Sequence, residues 1–461
     1  MKSEDIDIVI IGAGLTGLSL AHFLKKKGRR PLVLEKAERP GGVIQTFSEN
    51  GFIYESGPNT GVLSTKEIAL LFEELNGNCT VETGQGGANK RYVMKNGRWE
   101  PLPSGLFSAV KTPLFTLGDK FRILGEPFRQ PGTNPDESVA DMVRRRLGNS
   151  FLDYAVDPFI SGIYAGDPSR LVTRHALPKL YALEQNYGSF IKGTIRKSRE
   201  KKSDDDRKAT REVFSARGGL GSIISALAKE VGNESILCGI TGLSTGCTGK
   251  RFRLEFSSPG GEKHNIDSHV LVTTAGGYSL PEILKFIYPE ELSPLTSLQY
   301  AGVVQVAVGY RKWNSKPLDA FGGLVPSREN RQILGILFPS AIFSDRAPEG
   351  GALLSVFLGG TRNSDMLSKS DDEITAITLG EIRKTLGEKG EPDLLRVFRY
   401  GKAIPQYEIS TGERLERIRE LERRYPGLIL AGNIRDGIGM ADRVRQARQI
   451  ADMLTDRKSV V

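Results

Sequence analysis

Gly12, Gly14 and Gly17 stand as G-x-G-x-x-G within "DIVIIGAGLTGLSLAHFLKKKGRRPLVLEK", residues 7–36. These residues can act because they lack side chains. Gly12 permits a tight turn, Gly14 lets backbone approach a pyrophosphate, and Gly17 lets a helix lie close on a strand. Ala13, Leu15 and Thr16 fill the turn and the first helical positions, where free N–H groups and a positive dipole end favour phosphate. Glu35, with Lys36 beside it, ends the next apolar run and is placed to accept hydrogen bonds from ribose hydroxyls. The chemistry predicted is dinucleotide binding. A second stretch, "FISGIYAGDPSRL" at 159–171, has no histidine, no cysteine and one acid, Asp167. It alternates glycine with Ile160, Ile163 and Tyr164, which suits close backbone and flat apolar side chains against a ligand. Asp167 is assigned to the Gly166–Pro168 turn.

The elements that must position these residues follow from periodicity. Ile8 to Ile11 reads as a buried strand. Leu18, Ala21 and Leu24 mark a helix that stops near Gly28, and Leu32 to Leu34 a second strand. "FSARGGLGSIISALAKEV" (214–231) gives a glycine turn and a helix with Ile223, Ile224, Leu227 and Val231 on one face. "HVLVTTA" (269–275) suits a buried strand. Residues 102–205 are mostly helix-like, with Val139, Met142, Val143 and Leu147 at helical spacing before Gly148. Residues 300–400 are strand-rich, and 332–338 and 352–360 are expected to line one surface. The run 192–211, "KGTIRKSREKKSDDDRKATR", has too little apolar content to pack and is expected to be a solvated connection.

The chain has 461 residues and a net charge of +9, with 39% hydrophobic and 26% charged residues, a globular composition of two or three units. The basic balance suits acidic ligands or anionic lipid. No nucleic-acid-binding motif stands out. Cys79, Cys238 and Cys247 form no CxxC pair, and the four histidines lack zinc spacing, so no metal site is assigned. A reducing cytoplasm is the expected location. "MKSEDIDIVIIGAG" leads from charged residues into the first strand, and no run approaches the roughly 20 apolar residues that span a bilayer.

Two further stretches extend the nucleotide motif. In "ERPGGVIQTFSENGFIYESGPNT", residues 38–60, Gly41 and Gly42 come soon after Glu35, and G-P-N-T closes the stretch. "LILAGNIRDGIGMADRVRQARQIADML" (428–454) reads as strand, glycine loop and helix. Alone, each is a turn signal. In this order they resemble the glutathione-reductase-type FAD proteins of the amine-oxidase superfamily. The resemblance implies FAD as cofactor. It sets Gly41 and Gly42 on the flavin side, Gly57, Pro58, Asn59 and Thr60 near the isoalloxazine, and Asn433, Ile438, Gly439 and Met440 at its pyrimidine ring. Ile240 would contact adenine through its backbone. The implied fold class is α/β: a Rossmann-like FAD-binding domain (1–88, 210–275 and 410–461), a mixed-sheet substrate domain (89–101 and 276–409) and a helical insertion (102–209).

"FISGIYAGDPSRL", "LPKLYALEQNYGSFIKGTI" (177–195) and the segment 321–363 resemble protoporphyrinogen oxidases. The family oxidises protoporphyrinogen IX to protoporphyrin IX, with oxygen as acceptor and hydrogen peroxide as product. On that match Arg91 pairs with a substrate propionate, Gly162 borders the macrocycle, Leu324 and Leu337 clamp pyrrole rings, and Phe357 stacks on another. For Arg91 a strand-end surface position stays open, and for the three apolar residues ordinary strand core does. No side chain is assigned a catalytic role, because the redox chemistry is the flavin's. Coproporphyrinogen III is the closest rival substrate. The FAD motifs alone also fit a carotenoid desaturase, another amine oxidase or a non-catalytic protein like the Rab GDP-dissociation inhibitors. The product that the resemblance implies makes ferrochelatase or magnesium chelatase a candidate transient contact, and the apolar, glycine-bearing "LPSGLFSAVKTPLFTLGDKF" (102–121) with that greasy product suggests peripheral membrane contact.

Overall fold

A computed structural model describes residues 4–103, 111–201 and 203–456. Its first sheet is built on the strand Glu4–Ile11. That strand pairs in parallel with Pro31–Leu34 on one side and Lys263–Thr273 on the other. Ile236–Leu237 extends the parallel set beyond Pro31–Leu34, and Leu428–Leu430 pairs with the end of Lys263–Thr273. Ile8 and Ile10 pack with the helices Leu15–Lys26, Gly221–Val231 and Met440–Asp456, while Val9 and Ile11 pack beneath Leu280, Leu295 and Ile418. Both faces are covered, so the strand reads as an unbroken apolar run. The antiparallel strands Thr241–Thr248 and Arg251–Ser257 continue the sheet. There exposed Arg251, Arg253 and Glu255 alternate with buried Phe252, Leu254 and Phe256, the pattern of a half-covered surface.

The second sheet runs in the order Leu394–Pro405, Tyr300–Tyr310, Ala352–Gly359, Ile333–Leu337, Gly322–Leu324, Arg91–Lys95, Arg98–Pro101. Only the pairing of Gly322–Leu324 with Arg91–Lys95 is parallel. Val304, Val306, Ile336, Leu354, Val356 and Leu358 form its core face, closed by the helix Asp371–Leu386. The alternate residues face the opposite way. The mixed α/β architecture expected from the sequence is the one observed.

Helices dominate 117–198. Arg146 and Glu126 are fully buried and joined as an ion pair. Glu126 also accepts from Ser189 Oγ (2.5 Å) and from the N–H groups of Phe190 (2.9 Å) and Ile191 (3.2 Å) at the start of the helix Phe190–Ser198. The run expected to be a solvated connection is solvated at its beginning, where only Gly193 is buried, but residues 192–198 are helical. Ser189 caps the helix by accepting from Lys192 N–H, and buried Phe190 and Gly193 seat it. Two packed residues and a cap suffice where composition alone suggests none.

The stretch 159–171 begins inside a helix. Five residues of π-helix, Leu152–Val156, lead into the helix Asp157–Tyr164. Pro158 has no N–H to return to the Tyr154 carbonyl, so the turns before it widen. Ala165 ends the helix at φ 47°, and Gln406 Nε2 donates to the Tyr164 carbonyl (2.8 Å).

Candidate functional site

The glycine turn has the geometry its spacing predicts. A methyl at Gly17 would stand 1.9 Å from the Gly12 carbonyl oxygen, so only glycine lets helix and turn touch. A methyl at Gly14 would meet nothing within 4 Å. The helix that follows starts without a side-chain cap, whereas serines cap those at Val139, Phe190 and Asp371. Open space before uncapped N–H groups fits a pyrophosphate. Buried Leu15 and Thr16 fix the first turn.

Glu35 spans this turn. Its carboxylate accepts from Ala13 N–H (2.7 Å) and Ala37 N–H (2.8 Å), leaving lone pairs for a ribose. Lys36 beside it is exposed. Ile240 is buried and donates its N–H to the Glu35 carbonyl (3.1 Å), so an adenine contact through its backbone would use its own carbonyl. Gly41, at φ 108°, donates to the Ala13 carbonyl (2.8 Å), and Gly42, at φ 58°, lies against Gly14. The two loops the sequence separates thus form one surface.

Gly57, Pro58, Asn59 and Thr60 follow the strand Phe52–Glu55. A methyl at Gly57 would fall 2.1 Å from the Val43 carbonyl oxygen. Asn59 is buried and accepts from Ser355 Oγ (2.6 Å), and Gln305 Nε2 donates to the Glu55 carbonyl (2.7 Å). These two bonds fasten the loop to the second sheet. The C-terminal loop is held from behind. Tyr407 Oη accepts from Gly437 N–H (3.2 Å) and lies 2.9 Å from the Asn433 carbonyl. Burial pushes its phenol up to about 12, so it keeps its proton. Arg414 Nε donates to the Ile434 carbonyl (3.0 Å) and Arg443 Nη2 to that of Arg435 (2.9 Å). Ile438 is half-buried and Gly439 exposed, and Met440 begins the helix.

The predicted substrate residues share one sheet face. Phe357 is paired with Gly335, and Gly335 with Leu324; Leu337 is paired with Gly322, and Gly322 with Arg91. Residues in direct register point the same way, as do those two apart along a strand. Phe357, Leu337, Leu324 and Arg91 therefore belong to one face, with Ser355 and Gln305 where the Gly57–Thr60 loop attaches. The three apolar side chains are only half-buried, unlike the core face behind them. Gly162 comes down on Leu324: a methyl there would stand 2.6 Å from Leu324 Cδ2. Arg91 is exposed and lies against the Phe321 ring, 5.4 Å from its centroid. Among the described residues no carboxylate pairs with it.

Sequence reasoning missed Asp157, Arg362 and Tyr407. Asp157 precedes the quoted stretch, and nothing local marks the other two. The Asp167 carboxylate accepts from Ser169 N–H (2.8 Å), the turn role expected, and it also pairs with Arg362 (3.0 Å).

Glu55 carries a pH dependence. It is buried, and accepts from Thr46 Oγ1 (2.7 Å) and from Leu220 N–H (2.7 Å) at the turn before the helix Gly221–Val231. Burial outweighs these bonds and pushes its carboxyl up to about 7. The folded protein then keeps a proton that the unfolded chain releases at the ordinary carboxyl value. Stability falls as pH rises from about 4.5 to about 7, by roughly 3 kcal/mol in all. Glu55→Gln is expected to remove that component. The Tm difference between parent and variant, followed from pH 5 to pH 8, should shift in the variant's favour, and a constant difference would count against it.

A glycine turn shaped for a dinucleotide on one sheet, tied through the loop 57–60 to a second sheet, fits a flavin-dependent oxidoreductase. The chain belongs to the flavin containing amine oxidoreductase family, whose model matches residues 15–454, and its cofactor is FAD. It is 30% identical to protoporphyrinogen oxidase 2, chloroplastic/mitochondrial, of Arabidopsis thaliana over 97% of this chain and 93% of the relative. It is 28% identical to the coproporphyrinogen III oxidase of Bacillus subtilis over 97% and 98%. A solved structure described as a candidate protoporphyrinogen oxidase from Exiguobacterium sp. 255-15 shares the fold, with TM-score 0.81 and 23% identity over 99% of this chain and all of that one.

Proposed function

We propose that this protein oxidises protoporphyrinogen IX to protoporphyrin IX on FAD. The observation that carries the reading is the half-buried apolar face of Phe357, Leu337 and Leu324, bounded by Gly162 and rimmed by Arg91, which has no carboxylate partner among the described residues. Its chemistry suits a large apolar ring that bears carboxylates. When bound, the flavin supplies the acceptor for hydride from a bridging carbon. The chain's own residues bind and orient. The Gly14 turn, Glu35 and the loop 41–42 would hold the dinucleotide, Asn59 and Ser355 fix the loop 57–60 against the substrate face, and the helix Asp157–Tyr164 borders that face at Leu324 through Gly162. Arg91 offers a guanidinium fork to one propionate. The residue boundaries proposed for the FAD, substrate and helical units have the two sheets and the helical segment as their support.

The test is anaerobic bleaching of the flavin by protoporphyrinogen. Bleaching at a rate that supports turnover is expected, and a flavin that stays yellow would refute the reading. Coproporphyrinogen III is the second arm, prompted by the name of the Bacillus relative. Faster bleaching by the tetracarboxylate would move the assignment to that substrate.

Peripheral membrane contact is part of the same proposal. Of the sequence that suggests it, residues 104–110 lie outside the described residues. The helix Leu117–Leu124 carries Leu117, Phe121 and Leu124 on one side, 73%, 72% and 67% exposed, and Phe128 beyond it is 87% exposed. Lys192 stands over the Phe128 ring. An apolar stripe beside cations suits an anionic bilayer surface. Among the described residues no helix is long and apolar enough to cross a membrane. Sedimentation with anionic liposomes at low salt is expected, and Phe121→Ser with Phe128→Ser should weaken it about tenfold or more. Parent protein that stays in the supernatant would end this part of the proposal.

A further inference from the structure

The helix Asp157–Tyr164 has eight residues and contributes Gly162 to the substrate face. It continues from the π-helical turn Leu152–Val156, so its direction past that turn is set by what ties it to the sheet. One side chain reaches both its first residue and the turn just past its end. Arg362 lies three residues beyond the strand Ala352–Gly359, which carries Phe357. Its Nη1 donates to Asp157 Oδ1, at the start of the helix. Its Nη2 and Nε reach the two oxygens of Asp167 (3.0 and 3.2 Å), just past the end. Asp157 is buried, and its second oxygen accepts from Ser327 N–H (2.7 Å), on the segment after Leu324. Thr361 N–H donates to the Ala165 carbonyl (2.8 Å). The helix and the sheet that bears the apolar plates are thus joined through one guanidinium and its neighbours.

We propose that Arg362 is a positioning residue: by bridging Asp157 and Asp167 it fixes the height of the helix above Leu324, Leu337 and Phe357, and so sets the gap that a tetrapyrrole enters. This rests on the porphyrinogen reading above. A planar guanidinium with donors on two edges can serve two carboxylates at once, and a lysine cannot keep that geometry. A partly buried charged cluster adds little net stability, so the role proposed for this one is to select one position of the helix. A binding constellation must be held to within about 0.5 Å of its working geometry.

The test uses the holoprotein, with Arg362→Lys, and Asp167→Asn as the milder variant that leaves the Asp157 pair intact. Four quantities are read: KM and kcat for protoporphyrinogen, Kd for protoporphyrin from quenching of its fluorescence, and flavin content. In both variants KM and the product's Kd are expected to rise about tenfold, with kcat within about twofold of the parent and flavin content unchanged. KM and Kd within twofold of the parent would overturn the proposal. So would loss of flavin or of cooperative unfolding in Asp167→Asn, which would make the cluster a general support. Parent protein that neither oxidises porphyrinogen nor binds porphyrin would overturn the functional reading, and the positioning role with it.

Discussion

Gly17→Ala is expected to yield a colourless protein. The added methyl would lie 1.9 Å from the Gly12 carbonyl oxygen, which is backbone and has no rotamer to escape into. Either the helix Leu15–Lys26 lifts from the strand Glu4–Ile11 or the turn opens. Both move the N–H groups that should meet the pyrophosphate. Overpacking of this kind costs up to about 3 kcal/mol, and the displaced turn loses its ligand besides. Gly14→Ala separates the two effects. Its methyl meets no protein atom within 4 Å, and Gly14 sits at φ −72°, a conformation alanine adopts freely. The Gly14→Ala apoprotein should therefore melt within a degree or so of the parent while still failing to hold FAD, because the methyl fills the space meant for phosphate. Absorbance near the flavin bands and the Tm of the apoproteins check both variants. A yellow Gly14→Ala protein would mean that the pyrophosphate does not cross this turn.

Arg91→Ala should raise KM for porphyrinogen about tenfold or more, with flavin content unchanged. Arg91 is in register with Gly322, on the face that carries Leu324, Leu337 and Phe357, and its guanidinium lies against Phe321 with no carboxylate of its own among the described residues. Charge-assisted bonds to a carboxylate contribute about 1.5–3 kcal/mol. The exposed setting puts the expected effect at the lower end, near a factor of ten in KM. Arg91→Lys keeps the charge and loses the fork, so it should fall between parent and alanine variant. Steady-state kinetics with the flavin spectrum as control decide the matter. An unchanged KM, or loss of flavin, would remove the propionate role.

Much of the fold was legible because neighbours in sequence carried it. Gly12, Gly14 and Gly17 lie within one turn, and Ile8 to Ile11 is apolar without interruption because both faces of that strand are covered. The alternation of Phe252, Leu254 and Phe256 with charged residues likewise reports a half-exposed strand. Composition foresees the exposure of the run 192–211 but misses the helix at its start. The helix there is seated by Glu126, some sixty residues away in the chain, and a composition window does not see such a partner.

What the sequence determined by itself was the nucleotide turn, the parallel strands around it and the kind of residues at the apolar face of the second sheet, since each depends on local spacing and side-chain type. Which of those residues meet was decided only by the tertiary structure. Leu324, Leu337 and Phe357 come from three strands, and strand register puts them on one face. The hold of Arg362 on Asp157 and Asp167, and of Tyr407 on the loop Asn433–Gly437, joins segments whose separation leaves no periodic trace. Long-range partners are chosen by packing and hydrogen-bond geometry, which come into being only when the chain has closed on itself.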